Sequence, residues 1–298
     1  MAAKPRYCPS KWIDQGPKAQ QNDKARPNGL NIMRLKEKLQ GVVPPECLSK
    51  LSDGFHVIGN IAILSLAPEL ASYKKEIAGV VLSSGKNIHT VLNKTSKLQG
   101  ERRVAGFELL AGVGNTITTH KEFGFLYRLD IANVFFNSHL GYERMRVAAA
   151  VEAGEDVLLP FSGVGPFAIP LAARGAHVLA LEKSREACLY LAENARMNRV
   201  ERVIAIVNAD AFHMAKLLQK DFHRAVIPAP YGADGILETV LPLVRSKGSL
   251  HFYTFKKRHQ IEPLKKSYED LGLEVMRARR CGNVAPGVCR WVFDLAKS

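Results

Sequence analysis

The sequence predicts an α/β protein: a mostly parallel, doubly wound sheet over residues 139–298, preceded by a small α+β domain over 46–138 and an N-terminal arm with a short helix over 1–45. Three observations carry this. After Leu140, the apolar runs DVLLP, HVLALE, RVIAIVN and HRAVIP alternate with helical stretches, the texture of repeated βαβ units. Between the first run and its helix lies Phe161-Ser162-Gly163-Val164-Gly165-Pro166-Phe167, a glycine turn where open α/β sheets bind ligands. Before residue 138, by contrast, short strands follow one another with one amphipathic helix among them.

Taken in order, residues 1–28 mix Pro, Gly, Gln and Lys without periodicity and read as an extended or loosely ordered arm. NIMRLKEKL, over 31–39, predicts a short helix that ends before Pro44-Pro45. HVIGNIAILSL is a strand pair bent at Gly59; PELASYKKEIAGVVLSSG is the amphipathic helix; HTVLNKT is the next strand. Short strands continue through ERRVAGFELLAG, NTITTHKEFGF and LYRLDIANVFF. GYERMRVAAAVEAG opens the second domain as a helix, and its βαβ series has a helix after each of its first three strands. GSLHFYTFKK, a helix at about 260–271, LEVMRARRCG and CRWVFDLA close the chain with three more strands.

At 298 residues, the chain has the length of one large domain or two ordinary ones, and 47% apolar with 23% charged residues excludes wholesale disorder. No run approaches the roughly 20 apolar residues of a spanning helix, and MAAKPRYCPSKW lacks the apolar core of a secretory signal, so a cytoplasmic protein without a membrane partner is expected. Five scattered cysteines without a C-x-x-C pair read as reduced thiols. Histidines without H-x-x-x-H or H-E-x-x-H spacing point away from a metal. The charge of +14 suits a polyanion such as nucleic acid. Lys256, Lys257 and Arg258, with Arg277, Arg279 and Arg280 on the next strand, are the candidates for backbone phosphates.

Gly163 and Gly165 let the backbone approach a ligand. Glu182 ends the next strand, where a carboxylate would accept hydrogen bonds from a ribose, and Asp210 follows the third, where it would bind an adenine amino group. Ala168 stands where G-x-G-x-x-G has its third glycine, which favours S-adenosylmethionine over a dinucleotide. Phe161 and Phe167 flank the turn and complete the expected cofactor-binding set.

HVIGNIAIL, the GERR of 100–103, LLAG, THKEFGF, RLDIANVFF, LGYERMR, FSGVGPFAIPLA, LAENARMNRV, LHFYTF and VAPGVCRWVFDL occur in this order over residues 55–295. With them the chain resembles the class I S-adenosylmethionine-dependent tRNA enzymes that include the tRNA guanine-N1 methyltransferase and the wybutosine-pathway aminocarboxypropyl transferase. The resemblance implies a Rossmann-like class I methyltransferase domain behind a small RNA-docking domain, with tRNA as partner. It implies N1-methylation of the guanine 3′ to the anticodon, Arg103 and Glu143 being the catalytic pair, and Pro166 matches the methyltransferase branch. Guanine N1 must lose its proton before it attacks a sulfonium methyl, which a carboxylate can accept; a guanidinium at O6 then meets the developing charge, a contribution of about 3 kcal/mol for a well-aimed donor.

The chain departs from the family pattern at Leu159, at Asn137-Ser138-His139 and at Pro228-Ala229-Pro230, where the family has an asparagine that holds the target base. Pro228 has no amide to offer, so orientation of the base falls to Tyr231 or His139. Aminocarboxypropyl transfer from the same cofactor, and a catalytically degenerate RNA-binding homologue, are the alternatives.

Overall fold

The computed structural model describes residues 32–52, 54–96, 104–216, 218–219 and 221–298. Helices α1 (Ile32–Leu39) and α2 (Pro45–Ser49) lead into a four-stranded sheet of β1 (His56–Ile58), β2 (Ile61–Leu64), β3 (Thr90–Lys94) and β4 (Phe107–Gly112), in that spatial order. β2 and β3 are parallel, joined through a 3-10 turn (Pro68–Tyr73) and α3 (Lys74–Ser84). Leu35 and Leu39 of α1 and the following Val43 share a core with Ile77, Val81 and Val91. The short helix expected within the 1–45 arm is therefore a built part of this domain, while residues 1–31 lie outside the described residues.

β5 (Ile117–Glu122) and β6 (Phe125–Asp130) form a separate two-stranded hairpin. Its Tyr127 and Leu129, with Ile131 and Val134, are buried together with Val147 of α4 (Gly141–Ala149), Val164 and Leu191. Ile58, Ile61 and Leu92 of the first domain belong to the same buried cluster, so the hairpin packs against both sheets. Alternation along a strand shows that one face is buried but not against what.

The second domain runs β7 (Asp156–Pro160), α5 (Ala168–Ala173), β8 (His177–Glu182), α6 (Arg185–Met197), β9 (Ile204–Asn208), β10 (Phe222–Pro228), α7 (Ile236–Val240), β11 (Val244–Lys256), α8 (Ile261–Asp270), β12 (Leu273–Ala285) and β13 (Val288–Lys297). Its sheet has the order β12-β13-β11-β10-β7-β8-β9, with β13 antiparallel to both neighbours and the other pairings parallel. The helix expected between β9 and β10 is a 3-10 segment, Ala211–Lys216. Val157-Leu158-Leu159 and Ala225-Val226-Ile227 are fully buried, as central strands covered on both faces require, and Leu159 is thus a core residue. The strand order reverses beside β7, which places the crevice at the glycine turn.

Three sets of polar contacts fix the hairpin between the domains. On the α6 side, Asn194 accepts from Arg128 N (2.6 Å) and donates to Arg128 O (3.0 Å) and Val164 O (3.0 Å). One turn on, Asn198 accepts from Leu126 N (3.0 Å) and donates to Leu126 O (2.7 Å), so two side-chain amides stand in for a strand at the edge of β6. Glu122 accepts from the buried Arg144 of α4 at 2.7 and 2.8 Å. On the other side, Asn60 N donates to Thr118 Oγ1 (3.1 Å) and Gly59 N to His120 Nδ1 (3.3 Å).

That last contact needs a neutral ring. Burial, reinforced by the Arg144 charge, brings His120 down from 6.5 to about 4. Below the unfolded value the unfolded chain takes up a proton that the folded chain refuses, so stability is lost as pH falls from about 6.5 towards 4. Thermal melts from pH 7.5 to about 4.5 are expected to show this decline, and His120→Asn to make it shallower.

Candidate active site at the glycine turn

The turn leaves β7 through Phe161, whose φ of +55° is a left-handed conformation rare for an aromatic residue. Its ring lies edge-on to Phe212, centroids 6.3 Å apart. Gly163 (φ +54°) would aim a Cβ into open space, with nothing nearer than Phe135 O at 4.0 Å. Gly165 (φ +93°) would drive its Cβ to 2.3 Å from Leu191 Cδ1. The two glycines therefore differ: Gly163 keeps the crevice open, whereas Gly165 lets the turn sit on α6. Phe167, expected to line the site, is 3% exposed, and its ring packs towards Tyr253 (5.4 Å) and the Arg144 guanidinium (6.0 Å). It supports the turn from below.

Glu182 bridges β8 and the turn, accepting from Gly163 N (2.8 Å) and Ser184 N (2.9 Å). Asp210 accepts from Phe212 N (3.0 Å) and pairs with Lys183 (3.3 Å). The backbone bond and the lysine together hold its carboxyl below the usual range. Ser162, 2% exposed, has a hydroxyl without a partner, a polar atom that a ligand in this crevice would complete. An open cradle at Gly163, two carboxylates on adjacent strand ends and an orphaned hydroxyl fit a ribose-bearing ligand.

Beyond the turn, Glu143 in the first turn of α4 is 3% exposed. Its Oε2 accepts from Arg146 Nε (3.0 Å) and from the Tyr253 hydroxyl (3.2 Å), and its Oε1 pairs with Arg279. Arg146 is held in turn by Asp294 at 2.8 and 3.1 Å. Asp294 resists burial and drops to about 2 because His251 and Arg146 hydrogen-bond it. Arg103 falls outside the described residues.

Pro228 ends β10 beside Tyr253 of β11. The loop after it is pinned by Asp234, which accepts from Thr254 and from Lys256 Nζ (2.7 Å), and it presents Tyr231 at 64% exposure with its ring 5.7 Å from that of Phe255. Lys256 is thus committed to this loop, while Lys257 and Arg258 are exposed. His139 lies at the domain junction, its Nε2 2.9 Å from His56 Nδ1. Arg146, Tyr253, Asp294 and Arg279 are the site residues that sequence reasoning missed or read otherwise. The i,i+3 spacing of Glu143 and Arg146 was the one local signal.

The strand order and the ligand-facing turn define a class I methyltransferase fold. Residues 118–276, more than half the chain, match the TRM5/TYW2 methyltransferase domain, and residues 35–116 match the TYW2 N-terminal domain. The chain is 36% identical over 213 residues to the tRNA (guanine(37)-N(1))-methyltransferase Trm5b of Pyrococcus abyssi, covering 72% of this chain and 63% of that protein. It is 30% identical over 281 residues to the tRNA(Phe) (4-demethylwyosine(37)-C(7)) aminocarboxypropyltransferase of Pyrococcus horikoshii, covering 88% and 95%. Among solved structures, the complex of aTrm5 with tRNALeu superposes with a TM-score of 0.79 at 28% identity, over 89% of this chain and 78% of that one. The chain belongs to the TRM5/TYW2 methyltransferase family. It spans less than two thirds of the length of the first curated methyltransferase relatives, 63% of the P. abyssi protein and 47% of one from Vitis vinifera.

The two glycines predict separable defects. Gly163→Ala is expected to leave the melting temperature within a few degrees of wild type while weakening ligand binding at the crevice, and Gly165→Val to lower stability by about 1–3 kcal/mol through overpacking on Leu191. Calorimetric titration and urea unfolding check the pair.

Proposed function

We propose that the chain transfers a methyl group from S-adenosylmethionine to N1 of guanine 37 in tRNA. The observation that carries this reading is Glu143: a buried carboxylate fixed by two arginines and a tyrosine, one side-chain layer from the glycine turn through Tyr253 and Phe167. When bound, the cofactor supplies an electrophilic methyl on a sulfonium. Glu182 accepts from the ribose hydroxyls, Asp210 from the adenine amino group, and Gly163 leaves room for both. Phe161, Gly165 and Phe167 hold the shape of the turn.

Glu143 takes the N1 proton, and Arg103 is assigned to O6 by the family resemblance. Tyr231 offers an exposed aromatic face for the base next to Pro228. Lys257 and Arg258 are offered to phosphates, with Lys256 ordering the Tyr231 loop and His139 steadying the domain junction. Among the described residues no cluster of His, Cys, Asp or Glu could hold a metal, and no helix is long and apolar enough to cross a membrane. A cytoplasmic site of action fits a tRNA substrate.

Aminocarboxypropyl transfer is the second reading. Pro228 in place of the asparagine, the match of residues 35–116 to the TYW2 N-terminal domain and the 95% coverage of the P. horikoshii transferase favour it.

Glu143→Gln keeps the side-chain shape and removes the base. Single-turnover methyl transfer at saturating tRNA is expected to slow by a factor on the order of 10²–10⁴, with cofactor and tRNA affinities nearly unchanged. A variant as fast as wild type would exclude Glu143 as the base.

A further inference from the structure

We propose that Arg279, on the edge strand β12, reads guanine O6 alongside Glu143 and so helps to select guanine as the methyl acceptor; this rests on Glu143 being the base.

The two oxygens of Glu143 are not equivalent. Oε2 is filled by donors that cannot leave: Arg146 is locked by two bonds to Asp294, and Tyr253 is buried at 1% exposure. Oε1 pairs among the described residues with Arg279 alone. A carboxylate oxygen accepts two hydrogen bonds, so Oε1 keeps a place for an incoming N–H.

Arg279 differs from Arg146 in being incompletely bound. Its side chain is 37% exposed, its guanidinium lies 5.3 Å from the ring centroid of Tyr142, itself 55% exposed, and its Nε has no acceptor although it is shielded from solvent. A shielded N–H without an acceptor is unfavourable, and a ligand that brings one relieves it.

The acceptor Oε1 and the donor Arg279 therefore stand side by side. Guanine offers the complementary pair, N1–H as donor and O6 as acceptor. Adenine offers the reverse, a bare N1 against Oε1 and an amino group against the guanidinium. As the N1 proton passes to Oε1, the N1 electron pair forms the bond to the methyl carbon and the carbon–sulfur pair stays on sulfur. The charge gathering on O6, which has a second lone pair for the Arg103 donor of the family resemblance, meets the Arg279 guanidinium, and the products are neutral 1-methylguanine, a neutral thioether and a protonated Glu143. The guanidinium also supplies an orienting contact that Pro228 cannot.

Arg279→Gln, Arg279→Lys and Glu143→Gln test this on tRNA transcripts bearing guanosine or 6-thioguanosine at the target position; the thio base keeps N1–H but has a poor acceptor at position 6. Arg279→Gln is expected to slow single-turnover transfer to guanosine by about 10²-fold, and Arg279→Lys to recover part of it, since charge remains without the fork. Independently of turnover, wild type is expected to bind the guanosine transcript about tenfold more tightly than the thio transcript, and Arg279→Gln to bind the two equally. If Arg279→Gln is slow yet discriminates as wild type does, Arg279 only holds Glu143 and the proposal fails. Wild-type rate and discrimination in both arginine variants, with a slow Glu143→Gln, also overturn it and leave the base in place. A fast Glu143→Gln removes the reading beneath it.

Discussion

A row of buried and half-buried polar side chains on one face of the large sheet holds the candidate site in register. It runs from Arg279 to Glu143, Arg146, Asp294, His251, Arg224 and Glu155, and so ties β12, α4, β13, β11 and β10 to the turn before β7. Arg224 can only donate to His251 Nε2 (2.8 Å) and the Asp294 carboxylate only accept from Nδ1 (2.7 Å), which assigns the ring proton to Nδ1. Burial keeps His251 neutral by lowering its pKa. Such a row contributes little net stability, because desolvation offsets most of the attraction; removing one member is what costs, about 3–5 kcal/mol, since a buried charge is left behind. Its value lies in placing one carboxylate, Glu143, at a fixed point beside the glycine turn.

The hairpin β5–β6 does for the two domains what this row does within the catalytic sheet. Asn194 holds the Val164 carbonyl of the turn and the backbone of β6 at once, and β5 carries Thr118 and His120 to the first domain. A continuous set of hydrogen bonds therefore joins the crevice to the domain that the family resemblance assigns to RNA docking. On the side of that domain, the Gly59-Asn60 turn and the His56–His139 contact are polar links among the described residues, beside the apolar packing of Ile58, Ile61 and Leu92.

The sheet was legible in the sequence because buried parallel strands are continuous apolar runs, and the crevice because a glycine turn follows the first of them. Glu182 and Asp210 were legible for the same reason, as strand-end carboxylates. The surroundings of Glu143 were not: Tyr253 lies 110 residues away and Asp294 is 148 from Arg146, so no local pattern joins them. Arg279 and Lys256 read as phosphate contacts because a sequence shows charge but not its partner; the fold turns one to Glu143 and the other to Asp234. The partners of the hairpin were not legible, because its alternation identifies a buried face and leaves open that α6, through the i,i+4 pair Asn194 and Asn198, would bond its edge.

The proposed methyl transfer to N1 of guanine 37 leaves a product that mass distinguishes from an aminocarboxypropylated one. It is tested most directly by incubating the protein with S-adenosylmethionine labelled in both its methyl and its aminocarboxypropyl carbons and, in parallel reactions, an unmodified tRNA transcript or a tRNA carrying 4-demethylwyosine at position 37, followed by nucleoside mass spectrometry. The expected product is 1-methylguanosine carrying the methyl label. A nucleoside carrying the aminocarboxypropyl label on a wyosine-type substrate but no methylation of guanine, or no transfer to either substrate, would contradict it.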